Sequence, residues 1–116
     1  YSTASHDVAK IKVFESWLKK QQRKPIFSAF FLYSSHYPYE WGAQMGNPLL
    51  APHPDVTATT FFDYPRTFTD EMKRRYINCI NYVDSLIGQI LNVLEEEGRA
   101  SETLVIVTGD HGEHFQ

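Results

Sequence analysis

The sequence has no long apolar run, no excess of basic residues and almost no cysteine. Its apolar stretches fall well short of the ~18 to 20 residues that a membrane-spanning helix needs. Eleven basic residues against fourteen acidic ones give a formal net charge of −3, and this argues against a nucleic-acid-binding surface because such surfaces are basic. The single cysteine, Cys79, cannot form an internal disulfide. A membrane span within the chain and a disulfide framework are therefore excluded, and nucleic acid is not an expected partner.

Apolar and aromatic residues, in contrast, are well represented. Apolar residues make up 42% of the chain and charged residues 22%, as in folded soluble proteins. Aromatic residues reach 15%, and such side chains usually fill a core, with a binding surface as the alternative. A length of 116 residues suits one domain or part of one. Because the chain lacks an initial Met and stops shortly after its most polar motif, we expect it to be a fragment of a longer protein.

Two stretches have apolar residues three and four apart, the spacing of an amphipathic helix. The first runs from His6 to Gln21 and is followed by Pro25, which blocks its continuation. The second is the longer one, with Thr69 as its expected N-cap and Gly98 as its expected C-cap. The sequence therefore predicts two helices, one near the beginning and one in the second half of the chain.

Two short runs are almost wholly apolar. Residues 26–33 and 103–108 carry aromatic and β-branched side chains without alternation, a pattern typical of strands buried on both faces of a parallel sheet. Between them, residues 34–68 contain five of the six prolines and no periodic pattern, so we predict a long loop. Loops of this length often form binding sites, so we expect an active-site loop, with a flexible insertion as the alternative. The order helix, strand, loop, helix, strand predicts an α/β fold, in which helices flank a parallel sheet.

Both predicted strands end in turns that carry histidine. His36 follows the first strand, and Asp110, His111 and His114 follow the second. In a parallel sheet the carboxyl ends of the strands share one edge, so we expect these polar groups to face the same crevice. Asp110 and His111 offer a carboxylate and an imidazole, which suit a divalent cation such as zinc or manganese. At this point a simple turn, in which Asp110 accepts hydrogen bonds from nearby backbone N–H groups, remains the alternative.

Several of these motifs occur in an order known from one protein family. They are the apolar run that ends in Ser-Ser-His-Tyr-Pro at 34–38, the apolar helix that starts near Tyr76, and Thr-Leu-Val-Ile-Val-Thr-Gly-Asp-His-Gly-Glu at 103–113. From Lys24 to Phe115 the chain resembles the second half of the catalytic domain of sulfatases, which belong to the alkaline phosphatase superfamily. The resemblance implies that residues 1–116 are part of one sulfatase-like catalytic domain, with the alkaline phosphatase type of α/β fold.

The resemblance also implies roles for individual residues. Asp110 and His111 match metal ligands of the family, and His36 matches a histidine that contacts the sulfuryl or phosphoryl oxygens of the substrate. His114 is a second, weaker candidate for substrate binding. Glu113 matches the last residue of the family's Asp-His-Gly-Glu motif, where it would be a partner of the metal ligands and not a ligand itself. The nucleophile and the remaining ligands lie in the first half of the family's domain. We therefore expect no catalytic nucleophile in this fragment, and we expect the isolated fragment to be inactive.

The function that the resemblance implies for the parent protein is a metal-dependent hydrolase of sulfate or phosphate esters. An imidazole ligand favours zinc or manganese over calcium, which prefers oxygen. The implied location is extracytoplasmic, in the periplasm or at the cell surface, with a membrane anchor possible outside the fragment. One alternative is a membrane-anchored transferase of phosphoglycerol or phosphoethanolamine groups, and a plain α/β layer without a site is another. A further alternative is a non-catalytic sulfatase-like module that binds through exposed aromatic residues of the loop, namely Tyr37, Tyr39, Trp41, Phe61, Phe62 and Tyr64.

Overall fold

Two helices dominate the computed structural model, which describes residues 3–21, 24–39, 46–51 and 65–115. Helix α1 is Thr3–Leu18, and a 3-10 turn at Lys19–Gln21 continues it. Helix α2 is Thr69–Glu96, and 3-10 turns flank it at Arg66–Phe68 and Ala100–Glu102. Across the described ranges, neither helix is long and apolar enough to cross a membrane.

The two predicted helices are confirmed, with small differences at their ends. α1 begins at Thr3, three residues before the predicted start, and Phe68 rather than Thr69 is the N-cap of α2. The C-terminal prediction is correct, because Gly98 has a φ of 64° just beyond the helix. The Gly98 N–H donates to the Glu95 carbonyl at 2.9 Å and the Arg99 N–H to the Leu94 carbonyl at 2.8 Å. These two bonds form a Schellman motif, which satisfies carbonyls that the helix leaves unpaired.

The core lies between the two helices. Apolar faces with helical spacing meet there and exclude water, which is the main favourable term in folding. The buried apolar side chains are Ile11, Phe14 and Leu18 from α1, Met72, Cys79, Tyr82, Leu86, Val93 and Leu94 from α2, and Tyr39 from the segment between the helices. Phe30 packs on this core with its ring edge-to-face against Phe14, at 4.9 Å between centroids. The aromatic content of the sequence thus contributes directly to the core.

The predicted parallel sheet, and with it the α/β fold class, is wrong for the described residues, which form no strand. Thr103 has extended backbone angles, φ −115° and ψ 123°, but the run that it opens has no ladder partner among the described segments. Side chains predicted to be buried on both faces are instead largely exposed, with Phe27 at 92% and Leu104 at 84%. A strand requires hydrogen bonds to a neighbouring strand. Apolar composition at 26–33 and 103–108 could indicate a tendency to extend, but it could not supply that neighbour.

The predicted loop at 34–68 is described only in part. Residues 34–39 and 46–51 form no helix or strand, whereas 66–68 belong to the 3-10 turn before α2. Residues 40–45 and 52–64, which include Trp41, Phe61, Phe62 and Tyr64, lie outside the described residues. Tyr39 is only 2% exposed, so the exposure that the binding-module alternative expected at this position is wrong. The part of the loop next to His36 is therefore packed against the helical core.

Candidate functional site

The first turn of the candidate site follows residue 33 and carries His36. The His36 N–H donates to the Tyr33 carbonyl at 2.9 Å, and the Tyr39 N–H donates to the His36 carbonyl at 3.1 Å. In the exposed His36 ring, Nδ1 lies 2.7 Å from the Tyr37 carbonyl oxygen. Because a carbonyl only accepts, we assign the proton to Nδ1. Nε2 therefore carries the lone pair in the neutral ring and donates only in the imidazolium form.

The second turn carries Asp110 and His111, and it repeats the same arrangement. Nδ1 of His111 lies 2.7 Å from the Gly112 carbonyl oxygen, so Nδ1 again donates and the neutral Nε2 has a free lone pair. The His111 backbone N–H donates to Oδ1 of Asp110 at 3.0 Å. This hydrogen bond forms the simple turn that was the alternative to a metal site. It uses only Oδ1, so Oδ2 of Asp110 is still available to a cation. The hydrogen bond to the Gly112 carbonyl, followed by the charge of Asp110, raises the pKa of His111 above its ordinary value.

The separation of these two groups fits one divalent cation. Nε2 of His111 lies 3.8 Å from Oδ2 of Asp110. Zinc binds nitrogen and oxygen ligands at about 2.0 to 2.2 Å, so two ligand atoms of one ion are roughly 3.4 Å apart at the tetrahedral angle and at most roughly 4.4 Å apart. Histidines that bind metals commonly donate their other N–H to a backbone carbonyl, as His111 does. No third His, Cys, Asp or Glu joins the pair within the described ranges, so a closed site of about four ligands needs groups from elsewhere.

His114 and Glu113 continue the second turn. The His114 backbone N–H donates to Oε1 of Glu113 at 3.1 Å, and both side chains are exposed. Among the contacts of the described residues, none joins His114 or His36 to the Asp110–His111 pair. The assignment of His36 and His114 to substrate binding, and of Asp110 and His111 to a metal, therefore stays a prediction.

A cluster of aromatic rings connects the two turns. Tyr39, three residues after His36, lies 6.2 Å from Phe115, four residues after His111, between ring centroids. Both rings contact Tyr76 on the first half of α2, at 5.4 Å and 5.5 Å. Tyr37 adds an edge-to-face contact with Tyr39 at 5.5 Å. Although no sheet joins the two histidine-bearing turns in the described residues, this cluster brings both to the same end of α2.

Two buried polar residues that the sequence analysis did not assign to the site hold its surroundings in place. Asp7 on α1 accepts hydrogen bonds from the backbone of Tyr33 and Ser34, directly before the first turn. The Leu50 N–H donates to Oδ1 of Asn78 on α2, and Nδ2 of Asn78 donates to the Leu50 carbonyl, both at 2.8 Å. The only sequence signal for Asn78 was a polar residue on an otherwise apolar helical face. For Asp7, the early position in α1 suggested no more than a favourable charge near the helix N-terminus.

Cys79 does not provide a nucleophile. Its side chain is fully buried in the core, and burial raises the pKa of the thiol to about 12. Because the thiolate is the reactive form, a thiol with this pKa is nearly inert at neutral pH. Cys79 thus acts as a small apolar residue of the core.

Comparison with known proteins identifies the family. The model of the Sulfatase family matches residues 3–116. The chain belongs to the sulfatase family. One relative of this sulfatase-family chain is the multifunctional alkaline phosphatase superfamily protein PehA of Trinickia caryophylli, which is 36% identical over 45 residues. That match covers 39% of the chain and 9% of the relative, so the chain aligns with only a small part of it. No solved structure matches the chain. The resemblance that the sequence motifs indicated is thus confirmed at the level of family and superfamily.

Proposed function

We propose that the protein containing this chain is a metal-dependent hydrolase of sulfate or phosphate esters. Asp110 and His111 provide two ligands of a divalent cation, zinc or manganese rather than calcium. One observation carries the proposal. In this chain of the sulfatase family, Nε2 of His111 and Oδ2 of Asp110 are 3.8 Å apart, close enough to bind the same cation. The Gly112 carbonyl holds the other ring nitrogen of His111, so Nε2 is the nitrogen available to a metal.

The bound cation supplies charge stabilisation for the oxygens of the ester and lowers the pKa of a coordinated nucleophile. Asp110 contributes a negative charge, and His111 contributes a neutral ligand whose orientation is fixed by its bond to the backbone. His36 has a different role, because an anionic oxygen needs a hydrogen-bond donor. Its Nδ1 already donates to the Tyr37 carbonyl, so Nε2 is the ring nitrogen that we assign to the substrate oxygens. His114 is the second residue that we assign to the substrate.

The test uses the whole protein with an aryl sulfate and an aryl phosphate as substrates. Asp110→Ala and His111→Ala should each lower kcat/KM at least about 100-fold, equivalent to roughly 2.7 kcal/mol of transition-state stabilisation. Both should also lower the bound metal measured by elemental analysis. Asp84→Ala is the matched control, since Asp84 is an exposed carboxylate on α2 away from both turns. If both ligand variants keep the rate and metal content of the control, the proposal is wrong.

The same assay separates the proposal from its alternatives. A chelator should abolish hydrolysis, and zinc or manganese should restore it better than calcium. Release of the alcohol without net hydrolysis, together with transfer of the phosphoryl group to an added acceptor, would indicate a transferase. Absence of turnover with every ester, in a protein that binds metal normally, would favour a binding module. The burial of Tyr39 already removes one of the aromatic residues on which such a module would depend.

A further inference from the structure

Asp7 is a charged residue in a fully buried position. It lies on the second turn of α1 with 0% of its surface exposed. Its Oδ2 accepts three hydrogen bonds, from the Tyr33 N–H at 2.8 Å, the Ser34 N–H at 2.8 Å and the Ser34 hydroxyl at 2.7 Å. Its Oδ1 accepts a bond of 2.8 Å from the Lys10 ammonium group. A buried carboxylate is tolerated only when it is paired and hydrogen-bonded in this way.

Lys10 extends the network along the same segment. Its Nζ donates to the Phe31 carbonyl at 2.5 Å and lies 5.0 Å from the centroid of the Tyr33 ring. One turn of α1 therefore contacts residues 31, 33 and 34 through backbone and side-chain groups. These residues belong to the segment that leads into the His36 turn. Because this segment has no ladder partner in the described part of the chain, the Asp7–Lys10 pair supplies the polar contacts that fix its end.

The His36 turn starts on the residues that Asp7 holds. The His36 N–H donates to the carbonyl of Tyr33, whose own N–H donates to Asp7. A shift of Tyr33 and Ser34 would therefore move the His36 backbone and, with it, the imidazole. Groups that bind a reacting substrate need placement within a fraction of an ångström, so the anchor of the turn matters for the rate.

We propose that Asp7 is a positioning residue for His36, which sets the location of the imidazole through the backbone of Tyr33 and Ser34. The role of His36 itself rests on the proposed function. If Asp7 acts through His36, its contribution to kcat/KM disappears once the His36 ring has been removed. A residue that only stabilised the fold would lower the rate to the same extent with or without that ring. Non-additivity of the two substitutions is therefore the distinguishing property.

The experiment is a double-mutant cycle in the whole protein, with aryl sulfate and aryl phosphate as probes. Asp7→Asn keeps the shape of the side chain but removes its charge and can turn an amide N–H toward the donors of Tyr33 and Ser34. We expect Asp7→Asn to lower kcat/KM at least tenfold, and Asp7→Asn with His36→Ala to be within twofold of His36→Ala alone. Glu15→Gln is the matched control on α1, because its exposed pair with Lys19 is remote from the turn. Additive losses, or an unchanged kcat/KM in Asp7→Asn, overturn the proposal.

Two further measurements keep the result decisive. Ser34→Ala removes only the hydroxyl bond to Asp7, so it should fold even if Asp7→Asn does not. We expect it to lower kcat/KM two- to fivefold, again without effect once His36 is alanine, and an unchanged rate overturns the proposal.

Amide hydrogen exchange is independent of catalysis. Asp7→Asn should speed exchange at Tyr33, Ser34 and His36 at least tenfold while Glu15→Gln does not, and unchanged exchange overturns the anchoring role. A wild-type protein without ester hydrolysis would refute the proposed function, and the exchange result would still decide whether Asp7 holds the turn.

Discussion

Replacing Asn78 by alanine should release the chain around Leu50 from α2. The Asn78 side chain is fully buried, and its two hydrogen bonds of 2.8 Å to Leu50 join positions 28 residues apart. Each such bond contributes about 1 kcal/mol net, and the small cavity left by truncation adds up to about 1 kcal/mol. Leu50 is half-buried, so water can replace part of what the backbone loses. We therefore expect a loss of about 2 to 3 kcal/mol.

The assay combines urea unfolding of the whole protein with amide hydrogen exchange at Leu50. If the loop opens locally, the exchange at Leu50 reports the loss even where global unfolding changes less. Asn92→Ala is the matched control, since Asn92 is an exposed asparagine on the same helix, and its effect should stay within about 0.5 kcal/mol. If exchange at Leu50 were the same in Asn78→Ala as in the control, the anchoring of the loop by Asn78 would be refuted.

Asn78→Asp gives a further check, with a defined sign. The new carboxylate still accepts from the Leu50 N–H. Its other oxygen, however, faces the Leu50 carbonyl, to which the amide of Asn78 donates a hydrogen bond in the native protein. Repulsion and burial raise the pKa of the new carboxyl group in the folded state above its unfolded value of about 3.9. The protonated form, which can donate, is then favoured by folding. Stability relative to the native protein should therefore be highest below pH 4 and fall as the pH rises through the folded-state pKa. A pH-independent difference would contradict this reasoning.

Three other predictions follow from the helices. Cys79, with its pKa near 12, should react with iodoacetamide at pH 8 roughly a thousandfold more slowly than an exposed cysteine, and mass spectrometry that found ordinary labelling would disprove its burial. Leu86→Ala removes a fully buried side chain from the core and should cost about 2 to 5 kcal/mol in urea unfolding, whereas a cost below about 1 kcal/mol would mean that the helices do not pack there. Gly98→Ala should destabilise the protein by about 1 kcal/mol because φ is +64°. Gly88→Ala is its opposite control, since nothing lies within 4 Å of the added Cβ. It should stabilise by about 0.5 to 1 kcal/mol, and equal effects at the two glycines would contradict the cap.

The helices could be predicted because their signals are local. Apolar residues three and four apart place one face of Thr69–Glu96 toward the core, and the glycine after it adopts the left-handed conformation that ends the helix. The candidate ligands were also visible locally, since Asp110 and His111 are adjacent in sequence. Family membership followed from the order of several motifs along the chain.

The sheet could not be predicted in the same way. Residues 26–33 and 103–108 have the composition of buried strands, but hydrogen bonding between strands depends on a partner that composition does not identify. The described residues provide no such partner, so Phe27 and Leu104 remain exposed. The buried polar contacts were equally inaccessible, because Asp7 meets Ser34 across 27 positions and Asn78 meets Leu50 across 28.

What the amino-acid sequence determined by itself is the two helices, the cap at Gly98, the pairing of a carboxylate with an imidazole at 110 and 111, and the sulfatase family. Each depends on neighbours within a few residues or on the order of motifs. Only the tertiary structure decided that Asp7 would hold the His36 turn, that Tyr39 and Phe115 would meet over Tyr76, and that the two apolar runs would stay unpaired in the described residues. The physical reason is that these outcomes depend on groups far apart in the chain, and the free energy of bringing such groups together depends on the packing of the whole structure.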